Sequence, residues 1–289
     1  MSLLEVKNLT YTYSKGMPFE KKALSDVSFS VKKGEFIGII GHTGSGKSTL
    51  MQMLDGLLKP DSGEVILEGK DINSDKKILR EARFKVGLCF QYPEYQLFEE
   101  TVEKDIAFGP RNMGLSDVEI KERVARAASF VKLKPSLLSR SPFDLSGGQK
   151  RRAAIAGVMA MLPEILILDE PAAGLDPVGR SEIMSMICEY RRSTGATVMM
   201  VTHSMETAAR VSDRIFVLNA GRLTFTGTPQ EIFSHSDELI EMGLDVPVST
   251  KIASALRSSG IDLPQNIFTA ESCADALAEL VQNRAGGVK

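Results

Sequence analysis

The strongest constraint on the fold is a short glycine-rich run. Gly41-His42-Thr43-Gly44-Ser45-Gly46-Lys47-Ser48 matches G-x-x-x-x-G-K-[ST] without a gap. The apolar run Phe36–Ile40 stands before it and predicts a buried strand. A helix is predicted after it, from about Lys47 to Leu58, ended by Lys59-Pro60-Asp61-Ser62-Gly63. Small residues let backbone N–H groups approach phosphate oxygens, and the helix N-terminus adds a favourable dipole. In that cradle Lys47 would reach the β- and γ-phosphates and the Ser48 hydroxyl would bind Mg²⁺. His42 fills a variable position and is read as incidental. A glycine turn without a ligand is the bland alternative; the full match between strand and helix argues against it.

The remaining pattern predicts an α/β fold. Leu4–Lys7 and Val27–Val31 alternate as strands, and Glu64–Leu67 begins another. Ile165–Leu168 and Ala196–Val201 are apolar strands, and Ile215–Leu218 with Arg222–Thr226 form a hairpin. Helices are expected at about Asp117–Lys132, with a buried stripe of Val118, Val124, Ala128 and Val131, and at Ser146–Met161. This gives a nucleotide-binding domain at 1–232 with a helical subdomain at about 92–162. Ser249–Ser258 and Ala270–Arg284 predict a C-terminal helical extension at 233–289.

A phosphate loop alone does not separate kinases, GTPases and motor ATPases. The run Ile165–Leu168 ends in Asp169-Glu170, which puts two carboxylates at the edge of the sheet where ligands bind. Asp169 is the candidate to hold Mg²⁺, directly or through water, and Glu170 the candidate general base. His203 follows Val198–Val201 within expected reach of the γ-phosphate. Gln91 follows Val86–Phe90 and offers its side-chain oxygen to Mg²⁺ or to the attacking water. Taken singly, either is more commonly structural.

Leu145-Ser146-Gly147-Gly148-Gln149 stands where a helix begins, just before Lys150-Arg151-Arg152. Ser146 suits an N-cap, and the glycines leave room for an anion, so this is a second anion-binding helix start. With these residues the chain resembles the ABC ATPase family over about 1–230. The resemblance implies a head-to-tail pair of subunits with each ATP lying between them. It implies that Gly41–Thr49, Gln91, Asp169, Glu170 and His203 serve the chain's own ATP. Ser146, Gly147, Gly148 and Gln149 then reach the partner's ATP. Gly174-Leu175-Asp176 is similar to the loop linking the two sites. Tyr13 matches the aromatic that stacks on adenine; Tyr11 is the competing candidate.

Gln91–Val102 and Lys104–Pro110 resemble the corresponding region of energy-coupling factor (ECF) transporter ATPases. The segment Tyr11–Glu20 resembles the second ATPase of such modules. This implies a second, paralogous ABC ATPase as partner, although a homodimer stays open. It also implies a membrane coupling subunit and substrate-binding membrane subunits for vitamins or metal ions. Residues 92–110 would form much of the groove for the coupling helices. There Glu94, Glu99, Glu100 and Glu103 are candidates to attract basic helices, against the blander reading of a solvated acidic loop.

Composition fits this role. The net charge of -2 argues against a broadly basic nucleic-acid surface. The basic run Lys76–Arg83 is read as a solvated helix face. The apolar stretch Ala153–Leu162 is far below the ~18 residues of a membrane span, and no secretory leader is expected at Met1–Thr10. Cys89, Cys188 and Cys273 are too scattered for a zinc site or a disulfide framework, so reduced thiols are expected. The expected place is the cytoplasmic face of the cell membrane. Other classes fit less well. DNA-repair ABC ATPases carry long coiled coils, translation factors two ATPase domains, and a kinase leaves Leu145–Gln149 unexplained. A simple binding module leaves Glu170 and His203 unexplained.

Overall fold

The structure is a computed structural model and describes residues 2–264 and 266–286. Two sheets share the work. β1 (Ser2–Tyr13) and β2 (Lys21–Lys32) pair antiparallel over their whole length. Both outrun the short alternating stretches seen in the sequence. Register shifts along β1 break the alternation, so the strand continues where period-two reasoning stops.

β3 (Phe36–Ile40) is buried at every residue, which is why it reads as an unbroken apolar run. It leads into α1 (Lys47–Leu54), which stops short of the expected Leu58. Gly56 adopts φ 70, and the amides of Leu57 and Leu58 turn back to the Gln52 carbonyl. A left-handed glycine thus ends the helix before the proline does. β4 (Ser62–Leu67) and β5 (Lys70–Asp71) complete the antiparallel sheet in the order β2-β1-β4-β5.

α2 (Lys76–Lys85) carries the basic run on a largely exposed helix and leads into β6 (Val86–Cys89). α3 (Val102–Asn112), α4 (Asp117–Phe130) and α5 (Gly147–Met159) then pack together. Ile106, Val124 and Ile155 share one apolar cluster there. Val118 is a correction to the expected stripe, being 67% exposed. It lies six residues before Val124, about 240° round the helix, whereas Ala128 and Val131 fall on Val124's face.

β7 (Ile165–Asp169), α6 (Pro177–Thr194), β8 (Thr197–Val201), α7 (Met205–Val211), β9 (Arg214–Asn219) and β10 (Arg222–Gly227) complete the core. The second sheet has the order β10-β9-β3-β8-β7-β6, parallel except for β10. The ends of β3, β6, β7 and β8 therefore open on one edge, the place where α/β sheets bind ligands.

α8 (Pro229–Ser234) and α9 (Ser236–Glu241) follow. Phe233, Leu239, Leu244 and Val246 join a cluster with Ile40 and Ile215. The expected boundary at 232 thus falls inside a packed unit. A separate small cluster of Ala253, Leu263, Ile267 and Cys273 starts with α10 (Val248–Ser258) and continues to α11 (Ala270–Gly286). Cys89 and Cys273 are buried free thiols and Cys188 is half-buried.

Candidate functional site

The loop after β3 closes round its own lysine. Lys47 is buried, and its ammonium donates to the carbonyls of Gly41 at 2.6 Å and His42 at 2.9 Å. Burial lowers its pKa below the ordinary lysine value, against the pull of Glu170 and Asp169. Gly46 holds the N-cap of α1 at φ 103 with no side-chain cap, and the buried Ser45 hydroxyl has no partner. Unmet donors, a buried cation and an open helix start suit an oxyanion ligand.

β7 brings the acids to the same edge. The Ser48 hydroxyl donates to Asp169 Oδ2 at 2.8 Å. Burial raises the Asp169 carboxyl above the usual range, although Ser48, Lys47 and His203 pull it down. Glu170 turns out of the strand at φ 50, a conformation uncommon outside glycine. That turn presents its carboxylate to two neighbours. His203 Nε2 lies 2.9 Å from Oε1, and Gln91 Nε2 donates to Oε2 at 3.4 Å.

A cleft of about 370 Å³ unites these groups: Tyr13, Thr43, Gly44, Gly46, Lys47, Ser48, Thr49, Gln91, Glu170 and His203 all line it. Tyr13 leans on the loop helix, its hydroxyl 3.1 Å from Thr49 Oγ1, whereas Tyr11 packs against the core behind it. His42 gives only its carbonyl to Lys47, and its ring donates to the Thr43 carbonyl. Sequence reasoning missed Lys21 and Ala23, which also line the cleft. They reach it because β2 passes over the loop, and no local pattern marks them. A larger cleft of about 760 Å³ opens on the other side of Glu170 and His203, flanked by Arg180 and Arg210.

Ser146, Gly147, Gly148 and Gln149 do not line the nucleotide cleft. They open α5 as a complete capping box: Gln149 N–H donates to Ser146 Oγ, and Ser146 N–H to Gln149 Oε1. Ser146, Gly148 and Gln149 line a shallow surface beside Lys132 and Lys134. Asp176 also stands outside the cleft and caps α6, accepting from Gly179 N–H at 2.7 Å.

The acidic residues expected to attract a partner differ in their surroundings. Glu94 is paired with the buried Arg151 at 2.8 Å, Glu99 lies 3.8 Å from Arg111, and Glu100 makes an exposed pair with Lys104. Glu103 is exposed.

The chain resembles known proteins over most of its length. The family model described as ABC transporter matches residues 24–173, from β2 through the loop after Glu170. An energy-coupling factor transporter ATP-binding protein EcfA2 of Caldanaerobacter subterraneus subsp. tengcongensis is 52% identical over 268 residues, covering 93% of this chain and 94% of that protein. The protein of the same name from Clostridium tetani is 50% identical, covering 98% of each. Among solved structures, cbiO1 from Clostridium perfringens, part of the ABC transporter complex cbiONQ, superposes with TM-score 0.74 at 37% identity. It covers 90% of this chain and 99% of its own. The ATP-binding cassette MJ0796, a post-hydrolysis dimer bound to ADP and Pi, gives TM-score 0.71 at 31% identity over 78% of this chain and 98% of its own. The chain therefore belongs to the ABC transporter family, as an ATPase that groups with the ATP-binding proteins of energy-coupling factor transporters.

Proposed function

We propose that the chain is one of two ATPase subunits that power uptake of vitamins or other micronutrients through a membrane coupling subunit and substrate-binding membrane subunits. The observation that carries this reading is the split between two helix starts. The start of α1 lines a cleft with Glu170 and His203, while the start of α5 lies outside that cleft. Two anion-binding termini that do not share a pocket in one chain call for two chains, each completing the other's ATP site.

In this reading Gly41–Thr49 cradle the phosphates, Lys47 neutralises the β- and γ-phosphates, and Tyr13 stacks on adenine. Ser48, Asp169 and Gln91 supply oxygens, the donors a small hard cation takes. Mg²⁺ bound there would neutralise charge on the phosphates. Glu170 takes a proton from water as the water oxygen attacks the γ-phosphorus and the bond to the ADP oxygen breaks. His203 and Gln91 hold Glu170 and the water in line. Loss of the bridging γ-phosphate then removes the charge that joins the α1 start of one subunit to the α5 start of its partner, and the pair opens.

A groove of about 320 Å³ between α3 and α5 is the proposed seat of the coupling subunit. Phe98 and Phe108 meet edge to face at its wall, with both rings partly exposed. Asp105 also lines it: Oδ1 accepts from the amides of Phe98 and Glu99, and Oδ2 is buried without a partner. Its carboxylate adds negative charge at the groove wall, alongside Glu94, Glu99, Glu100 and Glu103 as candidates to attract a basic coupling helix. The likeness to energy-coupling factor ATP-binding proteins supports a peripheral place at the cytoplasmic face. No helix among the described residues is long and apolar enough to cross a membrane.

The test is purification of the tagged chain from detergent-solubilised membranes of its native host. A second ABC ATPase, a coupling subunit and small vitamin-binding membrane proteins are expected to co-purify. Recovery of ribosomes or DNA-repair proteins with no membrane partner would overturn the transport reading and leave the ATPase intact.

A further inference from the structure

Three segments of the chain meet at one guanidinium. Arg151 stands in the first turns of α5 and is 4% exposed. Its Nε and Nη2 form a fork on Glu94, at 3.1 and 2.8 Å, just beyond the Gln91 loop. Its Nη1 donates to the Ala173 carbonyl, in the loop that follows Glu170. Its charge also sits over the Tyr92 ring, 5.9 Å from the centroid. The first segment borders the proposed groove, the second contains the helix start offered to the partner's ATP, and the third carries the general base.

We infer that Arg151 is a positioning residue that makes these three segments move as one body, so that docking at the groove and the geometry at both shared ATP sites are mechanically linked. The inference rests on the two-chain reading above. The physical basis is the cost of slack. A nearly dry Arg–carboxylate pair with every fork donor used has no alternative partner in water, so separating the segments leaves a buried charge unmet. A lysine keeps the charge but cannot span Glu94 and the Ala173 carbonyl with planar donors. Arg152, its neighbour, turns instead to Glu182 and the Val131 carbonyl, so the link to Glu94 is particular to Arg151.

The test compares E94Q, R151K and the double variant with the wild type, each as the full chain in its purified assembly. These substitutions keep size and hydrogen-bonding atoms at both positions, and E94Q removes only the carboxylate charge opposite Arg151. Each single variant is expected to lower kcat for ATP about tenfold with KM within about twofold, because geometry and not nucleotide affinity is lost. The double variant is expected to be no worse than the poorer single, since both remove one link. Backbone amides of 146–152 are expected to exchange about tenfold faster in both single variants, with those of 41–49 unchanged. Losses that multiply, or kcat within about twofold of wild type, would overturn the inference. A wild type that binds ATP without turnover would overturn the hydrolysis reading instead. The exchange rates would then still decide: equal rates at 146–152 in all chains sink the role of Arg151.

Discussion

Two helices in this chain begin at glycine-rich loops, and they treat their unpaired N–H groups in opposite ways. α1 is left open: Gly46 offers no cap, Ser45 Oγ has no partner, and Lys47 is buried among neutral carbonyls. α5 is closed by its own residues through the Ser146–Gln149 box. The difference follows from when each end meets its ligand. The start of α1 owns a cleft and can rely on a bound phosphate to satisfy it. The start of α5 lies outside that cleft, and on the proposed two-chain reading it must be stable alone until a partner brings the nucleotide. One end is built for binding, the other for docking.

The comparison breaks most sharply at Glu170. If chemistry belongs to the α1 side, Glu170→Gln should lower kcat about a thousandfold while ATP affinity of the chain stays within about twofold. Steady-state turnover and nucleotide titration check both halves. Near-normal turnover would mean that another group activates the water.

The glycines give the next largest effect. At Gly46 an added Cβ would lie 2.5 Å from the Ala23 carbonyl oxygen, on a backbone already at φ 103. At Gly148 it would meet no atom within 4 Å. Gly46→Ala should weaken ATP binding by the chain at least about a hundredfold, whereas Gly148→Ala should leave it unchanged and slow turnover in the assembly about tenfold. Equal loss of binding in the isolated chain from both changes would put the two termini on one ligand and end the two-chain reading.

The same contrast explains what was legible beforehand. Gly41–Ser48 and Asp169-Glu170 can be read because phosphate and metal chemistry uses those residue types at fixed local spacing, and the helix start at Ser146–Gln149 because its cap is local. The apolar strands could be read because burial on both faces leaves no polar position in Phe36–Ile40 or Ile165–Leu168. Lys21 and Arg151 could not, since each acts through a segment far away in sequence. The pairing of Glu94 was hidden for the same reason: its partner Arg151 lies 57 residues on. The packing of Phe233–Val246 on the core likewise depends on tertiary contacts that no local window contains, whereas the helix stop at Gly56 is a local signal, passed over for the later Pro60.

The smallest effect sharpens the comparison at the helices' other ends. α5 runs out at Ala160 with no charged residue in its last turn. α1 runs out at Asp55, a carboxylate at the end of a helix where the dipole disfavours it. Burial pushes its carboxyl up to about 7 from an ordinary 3.8, against the pull of Arg83. The folded-state pKa is thus raised above the unfolded one. Below about pH 4 both states hold the proton and the fold loses nothing. Between about 4 and about 7 the unfolded chain releases a proton that the folded chain keeps, so stability declines as pH rises and then levels off. Asp55→Asn abolishes that titration. Its Tm should come close to the wild type near pH 4 and exceed it by several degrees at pH 8, as followed by thermal unfolding across that range. Parallel curves for the two proteins would mean that Asp55 is solvated in the fold, and that the strain of α1 is confined to the end that binds phosphate.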